Sequence, residues 1–367
     1  MSHFSFRVSR WMFPFALLYG LGVWVRNLLF DLKILHSRSF QLPVISVGNM
    51  TAGGTGKTPH VEYLIRLLAG QHQVAVLSRG YKRTSKGFQL VEENTPVDEA
   101  GDEPLQMKRK YPAIYMAVDK DRCHGIDQLC SNPKTDNLEV VLLDDAYQHR
   151  YVTPGENILL VNYHRLISED WLLPVGRLRE PFMQKRRASI IIVTKCPEML
   201  SPIEYRILRK KMGVYPYQSL FFTSIGYRKL TPLFTTSLPE LELKELKKTQ
   251  QILLVTGIAS PKILNEKLSQ YTSHIDLLSF ADHHRFTEND MKIMEQRFLA
   301  LEENKRCIVT TEKDAMRLFT LPYFPDALRP FVYVLPIEVN FLRNGQTNFN
   351  NLITNYVNKN SRNSKLS

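Results

Sequence analysis

The sequence predicts an α/β protein: a parallel sheet with helices on both faces, followed by a second, smaller α/β domain and preceded by an apolar N-terminal helix. Three observations carry that expectation. Short apolar runs without polar alternation, such as Val140-Val-Leu-Leu and Ile190-Ile-Ile-Val, recur between amphipathic stretches, the pattern of strands buried on both faces. Polar clusters fall at the ends of those runs, where ligands collect in such folds. The chain, at 367 residues, exceeds one average domain.

Trp11 to Val25 reads WMFPFALLYGLGVWV, apolar throughout but punctuated by Pro14, Gly20 and Gly22 and ended by Arg26. A spanning helix needs about 20 apolar residues. Arg7, Arg10, Arg26, Lys33 and Arg38 surround the run against one acid, Asp31. A basic, Trp-bearing apolar segment of this kind, residues 1–38, predicts a helix lying in a membrane interface. A signal peptide shares the charged start, but no small-residue cleavage site follows. A helix packed on the core is the other alternative.

From Leu42 the strand–helix rhythm begins. LPVISVG is a strand and is followed by a Gly-rich turn. A helix from about Pro59 to Ala69 places Val61, Leu64, Ile65 and Leu68 on one face,. QVAVLSRGY, AIYMAV, EVVLLDD and NILLVN are further strands. The Pro/Gly stretch YVTPGEN suggests a boundary, giving a nucleotide domain over 39–152 and a second α/β domain over 153–345 with SIIIVTK, QILLVTGIAS, HIDLLSFADHH and RCIVTTEKD as strands,. The Asn/Lys/Ser-rich segment 346–367 reads as a frayed tail.

The net charge of +12 points to an anionic partner: nucleic acid, an anionic membrane or a phosphorylated substrate. Cys123, Cys130, Cys196 and Cys307 are scattered, which favours reduced thiols over a disulfide framework.

Thr51-Ala-Gly-Gly-Thr-Gly-Lys-Thr58 follows a strand and opens a helix. Gly53, Gly54 and Gly56 let the backbone fold around phosphates, so Thr51, Ala52, Gly53, Gly54, Thr55, Gly56, Lys57 and Thr58 form the candidate ATP site. Lys57 would reach the outer phosphates and the Thr58 hydroxyl would ligate Mg²⁺. The usual P-loop has Gly where this chain has Thr51. Asp144 and Asp145, ending an apolar strand, are the matching metal carboxylates. Partitioning ATPases place Lys before the Gly pair, whereas this chain has Ala52. Thr194-Lys195-Cys196-Pro197 lacks both the Asn and the Asp of a guanine-reading N-K-x-D.

The motifs together resemble the tetraacyldisaccharide 4′-kinase family of lipid A biosynthesis, from the N-terminal helix to about Leu335. VGNMTAGGTGKTP (47–59), SRGY (78–81), GDEP (101–104), LLDDAYQHR (142–150), LLPVGRLREP (172–181), IVTKCP (192–197), TGIASP (256–261), FADHHRF (280–286) and TTEKDA (310–315) occur in the family's order. Ala146 departs from the Gly of many members. The resemblance implies transfer of the ATP γ-phosphate to the 4′-hydroxyl of a tetraacylated glucosamine disaccharide 1-phosphate, giving lipid IV-A. It also implies a peripheral, monotopic enzyme on the cytoplasmic face of the bacterial inner membrane, with a lipid substrate, no nucleic acid and no inferred protein partner.

The resemblance further assigns Asp102 as the base that accepts the hydroxyl proton, with His283 orienting it and His284 as its ambiguous neighbour. Glu180 is expected near the metal. Arg122, Arg179, Gln148 and Tyr81 are expected on the substrate, and Arg177 offers a further phosphate fork. Two rival readings follow from the loop and the charge. One is a nucleotide-dependent switch that docks on a membrane or nucleic acid; the other is a soluble sugar or nucleoside kinase. The DHH run also suggests a metal-binding phosphoesterase site, but the other acid motifs such an enzyme needs are not recognisable in this sequence.

Overall fold

The computed structural model describes residues 12–81, 83–234, 238–258, 261–282 and 284–364. The chain runs α1 (Phe13–Asp31), β1 (Val44–Asn49), α2 (Lys57–Leu68), β2 (Val74–Ser78), β3 (Gln89–Val91), α3 (Val97–Ala100), α4 (Asp102–Lys110) and β4 (Tyr115–Val118). There follow α5 (Arg122–Ser131), β5 (Val140–Asp144), β6 (Glu156–Asn162), β7 (Ile190–Thr194), α6 (Pro202–Met212) and β8 (Ser219–Tyr227). Next come β9 (Thr231–Pro232), β10 (Gln251–Thr256), α7 (Pro261–Leu268), β11 (His274–Ser279) and α8 (Glu288–Leu299). The chain closes with β12 (Arg306–Thr311), α9 (Glu312–Phe319), β13 (Val332–Leu335), β14 (Ile337–Phe341) and α10 (Gly345–Ser364).

The chain forms two compact units. The first comprises residues up to Ile225 and from Val339 onward; the second is Gly226–Glu338. In the first unit a nine-stranded sheet has the order β14-β8-β7-β6-β1-β5-β2-β4-β3. β1 is central, parallel to β5 on one side and β6 on the other. Both faces are covered. Leu159, Val161, Ile191 and Val193 enter one core and Val44, Leu77, Val141 and Leu143 another. Strands buried on both faces need continuous apolar runs, which explains why β1, β5 and β7 lack alternation.

The division differs from the boundary expected at 152/153. β6, β7 and β8 belong to the same sheet as β1, so the YVTPGEN stretch is a crossover loop, not a linker. Gly155 belongs to this packing: its N–H bonds the Val44 carbonyl, and a Cβ there would lie 2.0 Å from the Tyr356 hydroxyl. Tyr356 belongs to α10, so the expected frayed tail is a helix docked on the sheet. Phe349, Ile353 and Val357 are its buried face, repeating at helical spacing that the polar composition obscures.

The second unit has the sheet β11-β10-β12-β13-β9, parallel except for the β13–β9 pair. Leu253 and Val255 of β10 face one core, Ile252 and Leu254 the other. The period-2 alternation of side chains thus feeds two apolar layers.

α1 is packed differently. Ala16, Asn27 and Phe30 are its buried residues, whereas Phe15, Leu17, Leu18, Leu21 and Trp24 are exposed.

Candidate functional site

The Gly-rich loop leaves the carboxyl end of β1. Gly53 (φ 113°) and Gly56 (φ 83°) hold left-handed backbone that a side chain would strain, and Gly56 delivers the chain into α2. Three consecutive carbonyls of the loop are held from outside it. Lys195 Nζ donates to Gly54 O at 2.9 Å, and Thr194 Oγ1 donates to Thr55 O at 2.8 Å. His60 Nδ1 lies 2.7 Å from Gly56 O. Asn49 Nδ2 also reaches Thr55 Oγ1 at 2.8 Å. Because a carbonyl can only accept, Nδ1 of His60 carries the proton and Nε2 accepts from Thr223 Oγ1 at 3.1 Å,. Burial pushes the His60 imidazole down to about 4, against the Gly56 bond. Carbonyls fixed on the outer side favour amides facing an anion.

A second strand-like segment walls the loop. Thr51 bridges Leu178 in antiparallel fashion, Ala52 N donates to Arg177 O at 2.8 Å and Arg179 N to Met50 O at 2.8 Å. This brings Arg177 beside Gly53, where an added Cβ would lie 3.6 Å from Nη1.

β5 ends beside β1, with Val47 opposite Asp144. Asp144 is buried and Ser78 Oγ donates to its Oδ2 at 3.1 Å. Burial, then the charges of Glu103 and Asp145, push its carboxyl up to about 7, with Lys57 opposing. Its Oδ1 is buried and has no hydrogen-bond partner among the described residues. An orphaned carboxylate oxygen beside a second acid and a Gly-rich cradle fits a hard divalent cation. Asp145, at φ 47°, turns back toward the loop, and its Oδ1 lies 3.5 Å from Lys57 Nζ. Its Oδ2 lies 3.9 Å from Arg179 Nη1. Arg179 Nη1 also donates to Gln148 Oε1 at 3.4 Å, while Gln148 Nε2 donates to Asn49 O at 2.5 Å. Lys57, Asp145, Arg179 and Gln148 therefore form one chain of contacts across the loop mouth.

Two of the expected site residues are held by protein partners. Arg122 is buried, and its Nη2 donates to the carbonyls of Asp144 (3.2 Å) and Asp145 (3.4 Å). Its fork thus holds the backbone of the acid pair. Glu180 is buried and ion-paired with Arg187, with Arg26 Nη1 at 3.9 Å from its other oxygen. Two guanidiniums offset the carboxylate that was expected to serve the metal.

The GDEP segment opens α4 with Asp102 and Glu103 in its first turn. Gly101 (φ 91°) packs on the SRGY loop, where an added Cβ would meet Tyr81 O at 3.3 Å. The two loops carrying Tyr81 and Asp102 are thus adjacent, and Glu103 acts electrostatically on Asp144. Expected His283 lies outside the described residues. Its neighbour His284, in the second unit, bonds Asp290 through Nε2 at 2.9 Å, and Asp290 is the third residue of α8's capping box.

The sequence reading missed Asn49, His60, Ser78, Thr194 and Lys195. Lys195 carried a signal, since its motif occupies the place of a nucleotide-reading segment. Asn49 and His60 sit in a strand and a helix that read as scaffold.

The family profile described as tetraacyldisaccharide-1-P 4′-kinase matches residues 8–358. A tetraacyldisaccharide 4′-kinase from Phocaeicola vulgatus is 58% identical over 98% of each chain. One from Bacteroides thetaiotaomicron is 51% identical over 100% of this chain and 98% of its own. The crystal structure of the "apo" form of LpxK from Aquifex aeolicus in complex with ATP superposes with TM-score 0.72 at 29% identity, covering 94% of this chain and 98% of that one. With the loop, the acid pair and the whole-chain match in place, the chain belongs to the tetraacyldisaccharide 4′-kinase family.

Proposed function

We propose that this protein transfers the γ-phosphate of ATP to the 4′-hydroxyl of a tetraacyl glucosamine disaccharide 1-phosphate, forming lipid IV-A. One observation carries the reading: Lys57 and the Asp144–Asp145 pair converge at the carboxyl ends of the central strands β1 and β5 in a chain that matches the kinase family over residues 8–358.

The loop 51–58 binds the triphosphate and Lys57 attracts its outer charge. Thr58, Asp144 and Asp145 would hold Mg²⁺, which when bound offsets phosphate charge. Asp102 takes the proton from the 4′-hydroxyl as that oxygen bonds to the γ-phosphorus, and the bond to ADP breaks. Arg179, which approaches Asp145 and bonds Gln148, would with Gln148, Tyr81 and Arg177 contact the acceptor.

The membrane reading rests on α1. Its 19 residues are long and apolar enough to cross a membrane by length and composition, and only 11% of its most apolar window is buried. With Arg26, Lys33 and Arg38 nearby, we infer that it lies in the cytoplasmic leaflet of the inner membrane, presenting the site to a lipid acceptor.

The test is incubation of the purified protein with γ-labelled ATP, Mg²⁺ and the tetraacyl disaccharide 1-phosphate in mixed micelles. Label at the 4′ position, lost in Lys57→Ala, supports the reading. Absence of lipid label from protein that still binds ATP overturns it.

A further inference from the structure

The polar side of α1 is bonded to the residues that frame Asp145. Tyr19 Oη donates to the carbonyl of Arg179 at 3.0 Å, and Arg26 Nη2 donates to the carbonyl of Gln148 at 2.8 Å. These two carbonyls belong to the residues whose side chains meet at 3.4 Å and reach Asp145 through Arg179. The helix thus holds the backbone of both partners in the contact chain that crosses the loop mouth.

Further contacts fix the register of α1. Arg150 Nη1 donates to Asn27 O at 3.0 Å and to Asn27 Oδ1 at 3.2 Å. Asp31 accepts from Arg150 at 2.7 Å and from Arg186 at 2.6 Å. The buried Phe30 ring has the Arg150 guanidinium 4.9 Å from its centroid. On the other side of the helix, Leu17 and Leu18 remain 73% and 67% exposed. One helix therefore presents apolar side chains outward and bonds the site inward, with no flexible linker between the two functions.

We propose that Tyr19 and Arg26 are positioning residues for Arg179 and Gln148, through which the seating of α1 in a lipid surface is transmitted to the phosphate site. The inference rests on the kinase reading and on the interfacial placement of α1. An apolar surface that tilts or draws on α1 moves the Gln148 and Arg179 carbonyls with it. Protein at a lipid surface then holds Arg179 and Gln148 in the arrangement that supports transfer, and protein away from the surface holds it less well.

The experiment compares kcat on the tetraacyl acceptor in mixed micelles with kcat on a water-soluble short-chain analogue of that acceptor, at saturating Mg·ATP. The variants are Tyr19→Phe, Arg26→Gln and Arg26→Lys. Wild type is expected to turn over faster on the micellar acceptor. Tyr19→Phe and Arg26→Gln lower micellar kcat roughly fivefold or more, with the KM for ATP unchanged and the short-chain rate within twofold. Arg26→Lys restores part of the loss. Tyr19→Phe removes one hydroxyl and keeps the ring, so a folded protein tests the idea even where Arg26→Gln is unstable. Full micellar kcat in Tyr19→Phe and Arg26→Gln overturns the inference, as does an equal loss on both acceptors. Wild type that labels neither acceptor faults the kinase reading itself. Unchanged flotation of Leu18→Ser/Trp24→Ser with anionic vesicles faults the interfacial placement.

Discussion

The Lys57 ammonium lies 3.5 Å from Oδ1 of Asp145, so the loop lysine and the second acid of the pair hold each other across the mouth of the phosphate site. Arg179 approaches the other oxygen of the same carboxylate at 3.9 Å. One acid is shared between two cations, and both side chains of the Lys57–Asp145 pair retain some solvent access. The attraction at rest is accordingly modest, and Lys57 can exchange Asp145 for phosphate oxygen.

Asp145→Asn separates charge from shape. The variant leaves Lys57 and Arg179 unneutralised, so metal-free ATP binds more tightly than to wild type. Turnover falls on the order of 10²–10³-fold, because a group aimed at the reacting phosphate and its cation is lost. Isothermal titration with ATP in EDTA, set beside kcat in Mg²⁺, reads both effects. Weaker metal-free binding would show that Asp145 does not hold the two cations back.

Asp144 links function to stability. Its carboxyl is pushed up to about 7, chiefly by burial, from an unfolded value near 3.9. The folded state therefore binds the proton more tightly than the unfolded state. Stability from this group is complete below pH ~4 and is lost as pH rises through about 7. Asp144→Asn should raise the Tm at pH 8 in metal-free buffer, leave it nearly unchanged at pH 4, and abolish turnover. Thermal melts at the two pH values check the sign; a lower Tm at pH 8 would contradict it.

His60 titrates in the opposite sense. Burial pushes it down to about 4, so the unfolded chain takes up the proton first. The contribution of the neutral ring is present above pH ~6.5 and is lost as pH falls toward 4. Protonation adds a proton at Nε2, so acidification should cost the ring the bond it accepts from Thr223 while its Nδ1–H keeps the Gly56 carbonyl. His60→Gln is expected to weaken ATP binding about tenfold at pH 7.5 and to flatten the decline in Tm between pH 6.5 and 4.5. Parallel melts and nucleotide titrations measure it; an undiminished slope would assign that pH dependence to other groups.

The loop, the acid pair and the strand–helix rhythm were legible because each rests on local rules. Glycines allow the cradle, uninterrupted apolar residues mark the strands, and the end of one such run locates the two acids beside the loop. The domain division was not legible. The loop around Gly155 has the composition of a linker, and only the pairing of β6 with β1 shows that the sheet continues through it. The helix over 345–364 was hidden for a related reason: Phe349, Ile353 and Val357 are sparse among asparagines and acquire meaning only when the sheet covers them. Arg122 and Glu180 belonged to the right neighbourhood. Their roles depended on partners distant in sequence, the Asp144 carbonyl for one and Arg187 for the other. Residue type gives a charge; only tertiary packing decides which opposite charge it meets.

Glu180 provides the sharpest separation between those alternatives. It is 1% exposed, ion-paired with Arg187, and 3.9 Å from Arg26. Burial raises its pKa while the guanidiniums of Arg187, Arg26 and Arg150 oppose that shift. A metal ligand and a structural ion-pair partner respond differently to loss of charge. In Glu180→Gln the Arg187 guanidinium, itself largely buried, loses its counter-charge, which costs about 3 kcal/mol. The Mg²⁺ concentration that half-saturates turnover should stay within twofold of wild type, because Asp144 and Asp145 are untouched. A metal role predicts the reverse: little change in Tm and a half-saturating Mg²⁺ concentration raised tenfold or more. Denaturant unfolding and a Mg²⁺ titration of activity on the same preparation decide between them, and the arginine pairing predicts that stability moves while metal dependence does not.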